Sequence, residues 1–185
     1  MKTVYVTIDL QNDYFPGGRF PLFRAGRALK QALSVLKQAR REGASILHIR
    51  HQGQDPAARF LREGTPGAEL HPQLCVDALD QVIDKHFPDA FLGTPLQERL
   101  EHLAPDRVVW MGMMSWMCVD TTVRSAKAKG FQNIVISDAT ASSALMLGLP
   151  IFPWTVQRSF LAALSYHHAQ VLTAADFLKA AGKVD

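Results

Sequence analysis

The chain has 185 residues, 48% of them hydrophobic, and a formal charge of +3. That length argues for one domain, residues 1–185, large enough to bury a sheet on both faces. So slight a charge, scattered through helical segments, argues against a nucleic-acid surface, and the longest apolar run, Val108 to Met114, is too short to cross a bilayer.

Strands are expected at 3–9, 44–50, 81–85, 107–113, 133–137 and 169–173. Between the first two, Leu29, Ala32, Leu33, Leu36 and Ala39 form one apolar helical stripe, closed by Gly43. Further helices are expected at 95–103, 117–129 and 156–168. Alternation of this kind implies an α/β fold, a parallel sheet with helices on both faces. The connection from His51 to Pro72 is rich in Gly and Pro and is expected to wrap the mouth of a site. No secretory signal precedes the first strand. Two cysteines, Cys75 and Cys118, make no disulfide framework and fit a cytoplasmic location best. Cys75, in an apolar stretch with no nearby acid or base, reads as structural.

Cys118 sits differently. The run from Val108 to Arg124 reads as a buried strand, a Gly-marked turn and a helix, with Ser115 as its N-cap and Gly130 as its stop. The thiol then lies in the first helical turn, where unpaired N–H groups and the helix dipole stabilise a thiolate. It also lies at the strand edge where open α/β sheets bind ligands. A buried structural cysteine is the alternative, and position alone leaves both readings open. Two further strand ends bear on the choice. The first strand runs into Asp9, and the strand at 81–85 delivers Lys85.

The stretches Asp9-Leu-Gln-Asn-Asp13, Gly64 to Pro72, Lys85 with Ala90-Phe-Leu-Gly-Thr94, Gly112 to Arg124 and Ser137-Asp-Ala139 occur in one order along the chain. In this combination the chain resembles the isochorismatase-like cysteine hydrolases, a superfamily that includes nicotinamidases and N-carbamoylsarcosine amidase. The resemblance implies a three-layer α/β/α fold with a doubly wound six-stranded parallel sheet in the order 3-2-1-4-5-6, which puts Asp9 near Cys118. It implies catalysis by Asp9, Lys85 and Cys118, an oxyanion hole of the Met114 and Cys118 N–H groups, and a cis peptide between Met113 and Met114.

The chemistry of such a set is hydrolysis of an amide or carbamoyl bond in a small molecule. Asp9 takes the thiol proton, Lys85 balances the charges, and the thiolate attacks the carbonyl to give an acyl-thioester. No cofactor is required. Nicotinamidase-like relatives hold a metal through an Asp-x-His pair and a further His. Here Ile49-Arg-His51 carries no Asp two residues before His51, and His71 is the other nearby imidazole, so no catalytic metal is expected. Asp13 reads as structural, Gln11 and Asn12 as ligands of either backbone or substrate, and Asp138 as a cap or pin for the loop after its strand. Tyr14, Phe15 and Trp116 are the expected substrate-binding aromatics. Phe152 and Trp154 belong to an apolar segment, 144–154, expected to pack against a second copy of the chain rather than fold inward as a lid. Two other functions stay open: hydrolysis of a vinyl ether by the acid without the thiol, and a non-catalytic binding role.

Overall fold

Six β-branched and aromatic residues in a row, Thr3–Ile8, form strand β1, and every one of them is buried. A strand covered on both faces needs no polar alternation. The two faces are still distinct: Val4, Val6 and Ile8 enter one apolar cluster and Tyr5 the other. Strand β4, Arg107–Met113, divides the same way, with Val108 and Trp110 on one side and Val109, Met111 and Met113 on the other.

The computed structural model describes residues 1–181, so 182–185 of the expected domain lie outside the described residues. Around β1 and β4 stand β2 (Ile46–His51), β3 (Gln81–Lys85), β5 (Asn133–Ala141) and β8 (Gln170–Leu172). They make a six-stranded sheet in the order β3-β2-β1-β4-β5-β8, with all neighbours parallel. The expected order holds, with one change of count: β6 (Leu145–Leu147) and β7 (Leu149–Ile151) form a separate antiparallel hairpin, so the sixth parallel strand is the eighth in the chain.

Helix α1, Ala25–Arg41, covers one face through Ala28, Leu29, Ala32, Val35 and Leu36, joined by Phe177 of α5, Ala174–Ala181. Leu33 of the expected stripe is only partly buried. Helices α2 (Leu96–Leu103), α3 (Cys118–Ala128) and α4 (Pro153–His167) cover the other face through Leu96, Leu100, Val119, Val123, Leu161 and Leu164. The result is three layers, α/β/α. Gly43 and Gly130, with φ of +62° and +91°, end α1 and α3 as their sequence positions predict.

Two expectations, for Ser115 and Asp138, are corrected. Ser115 does not cap α3; Met117 occupies that position without a side-chain bond, and the Ser115 hydroxyl is buried with no partner. Cys75, read as structural, is exposed in a left-handed turn. Asp138 accepts the Ala174 N–H at 2.8 Å, so it pins the start of α5 rather than the loop that follows its own strand. The 144–154 segment, expected to pack against a second copy, leaves Met146, Leu147 and Leu149 71%, 84% and 78% exposed in the single chain.

Strands β1 and β4 are neighbours from which the chain winds outward in both directions. Their carboxyl ends form the crevice such a sheet offers to ligands.

Candidate active site

Three strand ends and one helix start converge at that crevice. A Cβ at Gly112 would collide with the Ile8 backbone, so only glycine lets β1 and β4 come this close. Immediately after β1, Asp9 adopts φ +51°, a left-handed conformation uncommon outside glycine, and its side chain is fully buried. Lys85, the last residue of β3, is also fully buried, and Cys118, the first of α3, is 4% exposed.

Lys85 lies between the other two. Its Nζ is 2.9 Å from Asp9 Oδ2 and donates to Cys118 Sγ at 3.3 Å. It also donates to the Phe87 carbonyl at 3.1 Å and meets His51 Nδ1 at 3.2 Å. An ammonium has three N–H groups, and these four neighbours exceed them. The thiol, the carbonyl and the imidazole take the directed bonds. Asp9 is held by charge, for neither of its oxygens has an aligned donor. A buried carboxylate with open lone pairs beside a thiol is placed to receive a proton.

The resting charges follow. Burial, then Asp9, push the Cys118 thiol up to about 12, against the lowering effect of Lys85. The thiol is therefore a neutral S–H at rest, and the helix terminus does not ionise it without a base. Burial works against the Lys85 ammonium, but the charge of Asp9 and the bond to the Cys118 sulfur outweigh it and hold the group above its ordinary range. The site rests as carboxylate, ammonium and thiol.

Around the turn into α3, the Met113–Met114 peptide is cis. The Met114 carbonyl accepts from the N–H groups of Met117 and Val119 at 3.0 and 3.2 Å. Among the described residues, no acceptor takes the N–H of Met114 or of Cys118. Two free donors beside a nucleophile are what a developing oxyanion requires.

The three aromatics expected at the site are packed into the core, Tyr14 and Phe15 buried and Trp116 partly so. Tyr14 is buried against Phe20 and Phe60; burial, then the charges of Asp9 and Cys118, hold its phenol well above the usual range, so it stays neutral. Phe15 packs on the His71 ring at 4.4 Å, and Trp116 donates its indole N–H to Ser143 Oγ at 3.1 Å. Phe152 and Trp154 stack on each other at the hairpin, both exposed.

The 51–72 connection is tied down from below. Asp13 accepts the N–H of Leu61 at 2.7 Å and of Arg19 at 3.0 Å, so its structural reading stands. Asn12 bonds the Pro66 carbonyl at 2.8 Å. Gln11 clasps the His51 backbone, accepting its N–H and donating to its carbonyl, both at 2.8 Å. Both amides are spent on backbone. Among the described residues no group of three or more His, Cys, Asp or Glu could hold a metal ion; of the imidazoles considered for one, His51 Nδ1 faces the Lys85 ammonium, and His71 Nδ1 accepts the Gln73 N–H at 3.3 Å.

The residue the sequence did not bring to the site is His51 in contact with Lys85. Its signal was available, since it too ends a strand, β2, and pairs in register with Lys85 on β3.

A parallel sheet with acid, ammonium and thiol at its switch point defines a hydrolase of the isochorismatase class. Comparison with known proteins agrees. The family model described as "Isochorismatase domain" matches residues 3–175, and the chain belongs to that family. An uncharacterized isochorismatase family protein, YddQ of Bacillus subtilis, is 37% identical over 180 residues, covering 97% of this chain and 100% of that one. The structure of a putative isochorismatase hydrolase from Oleispira antarctica superposes with a TM-score of 0.92 at 31% identity, covering 96% of each chain. Nicotinamidase 3 of Arabidopsis thaliana is 28% identical over 149 residues, covering 74% of this chain and 72% of that one.

Proposed function

We propose that this isochorismatase-family hydrolase is a cysteine amidohydrolase, cleaving the C–N bond of a small amide or carbamoyl compound. The observation that carries the reading is the buried Lys85 Nζ, 2.9 Å from Asp9 and 3.3 Å from Cys118. The likeness to a nicotinamidase, an amidase by name, supports the same class.

In this mechanism Asp9 takes the thiol proton as Sγ attacks the carbonyl carbon, and the carbonyl electron pair moves onto oxygen. The Met114 and Cys118 N–H groups hold that oxyanion. Protonated Asp9 then gives its proton to the leaving nitrogen as the C–N bond breaks, leaving an acyl-thioester. Water attacks the thioester while Asp9 accepts its proton. The C–S bond breaks, the carboxylic or carbamic acid leaves, and Cys118 recovers its proton. Lys85 keeps the summed charge of the pair near neutral throughout, which a dry site demands. Tyr14, Phe15 and Trp116 form the apolar wall against which a small acyl group packs.

The exposed hairpin supports a homo-oligomer, in which a second copy covers Met146, Leu147 and Leu149. Two unpaired cysteines, one exposed, support a reducing compartment, the cytoplasm.

The test is a panel of small amides and carbamoyl compounds, with a vinyl ether included, assayed on the wild-type chain and on Cys118→Ser. Amide cleavage that Cys118→Ser abolishes is the expected result. Vinyl ether cleavage untouched by Cys118→Ser overturns it.

A further inference from the structure

We infer that His51 is a positioning residue: its neutral Nδ1 fixes the Lys85 ammonium between Asp9 and Cys118, and protonation of that imidazole disables the site. The inference rests on the proposed triad and adds a fourth member to it.

The geometry begins with a backbone that is held. The Gln11 amide grips the His51 N–H and carbonyl from both sides, and Gln11 is itself fully buried. The backbone from which the imidazole extends is therefore fixed. Its Nδ1 lies 3.2 Å from Lys85 Nζ. An ammonium only donates, so Nδ1 must carry a lone pair, and the ring must be neutral with its proton on Nε2.

Lys85 needs that acceptor. One N–H goes to the Phe87 carbonyl and one to Cys118 Sγ, at 3.1 and 3.3 Å. The third goes to His51, and the ion pair to Asp9 is close but not aligned. Without the imidazole, the ammonium has reason to turn that third N–H onto Asp9. The carboxylate would then spend on Lys85 the lone pair that should receive the thiol proton.

The charges facing His51 come from each strand beside it. Asp9 follows β1 and favours the protonated ring; Lys85 of β3 and His86 just beyond it oppose protonation. Cys118 lies on the far side of Lys85, and the neighbouring Arg50 is taken up by Asp84 and Glu69. Burial, then Lys85, hold the ring below the ordinary imidazole range, so it is neutral near pH 7. On acidification it gains a charge 3.2 Å from Nζ and loses the lone pair together.

The experiment reads Cys118 directly and needs no substrate. In a Cys75→Ser background, iodoacetamide labelling of Cys118 is followed by intact mass against pH, for the parent, His51→Asn, His51→Leu and Lys85→Met. Asparagine offers an oxygen near the place of Nδ1 and cannot titrate. His51→Asn should label at the parental rate near neutrality, with its acid limb displaced to lower pH. His51→Leu should label about tenfold more slowly, the scale of one lost hydrogen bond to a charged group. An acid limb in His51→Asn that coincides with the parent's, or parental labelling in His51→Leu, overturns the inference. Lys85→Met separates the two levels: if it too labels at the parental rate, the triad itself fails. If His51→Leu does not fold, the His51→Asn pH profile decides alone.

Discussion

Replacing Lys85 by Met removes the one cation between two groups that must not both be charged in a dry site. At 3.3 Å and an effective dielectric near 20, the attraction between ammonium and thiolate is about 5 kcal/mol before desolvation is subtracted. Even half of that slows thiolate chemistry by about seventyfold. The folded state suffers as well. Asp9 is fully buried, and breaking a buried pair by removing one partner costs about 3–5 kcal/mol. For a chain of this size that lowers Tm by roughly 6–20 °C at pH 7. The sign with pH is fixed by linkage. A lone buried carboxylate takes up a proton in the folded variant while the unfolded chain still releases it, so the folded state binds more protons. Stability of Lys85→Met therefore falls as pH rises above the ordinary carboxylate range, about 4, and its deficit against wild type shrinks on going from pH 7 to pH 5. Thermal melts at both values, with an Asp9→Asn/Lys85→Met double variant, make the assay. The double variant should recover most of the loss. A Lys85→Met protein as stable as wild type at pH 7, or a double variant no better than the single, would refute the reasoning.

Asp9→Asn should slow two activities: iodoacetamide labels Cys118 more slowly and amide turnover falls about 10²–10⁴-fold, both for want of the group that takes the thiol proton. Retained turnover would exclude Asp9 as the base. Asp13→Ala strips the acceptor from the Leu61 and Arg19 N–H groups and should cost about 1–3 kcal/mol for each donor left buried, read as a lower Tm and faster proteolysis within 52–65. An unchanged melt and cleavage pattern would deny it that role. Sedimentation at micromolar concentration should show a dimer or larger, reduced to monomer by Leu147→Lys with Leu149→Lys. A clean 20.5 kDa wild-type monomer contradicts the covered hairpin.

The central strands were legible because β1 is an unbroken β-branched and aromatic run and β4, after Arg107, has no charged or polar side chain. Their ends, with that of β3, then pointed to Asp9, Cys118 and Lys85 as residues that topology brings together. The hairpin was not legible: Leu-Met-Leu-Gly-Leu-Pro-Ile is apolar at every position but its Gly turn, so no strand period stands out. Helix α5 was missed at the chain's end, although Phe177 anchors it on Tyr5. Ser115 had the chemistry of a cap, yet the turn carries it inward, away from the helix N–H groups. Position at a helix terminus favours the Cys118 thiolate, but burial and a neighbouring carboxylate, neither visible locally, outweigh the dipole at rest. His51 was weighed only as a metal ligand, because its partner is 34 residues away and meets it only through the β2–β3 register.

The most direct measurement of the central claim is rapid-quench intact mass on the wild-type chain turning over an amide found in the panel. The account predicts a transient adduct of the acyl mass, located on Cys118 by peptide mapping, formed no later than the amine and lost as the acid appears. Amide hydrolysis with no adduct at any time, although amine release precedes acid release, or with an adduct on another residue, would contradict it.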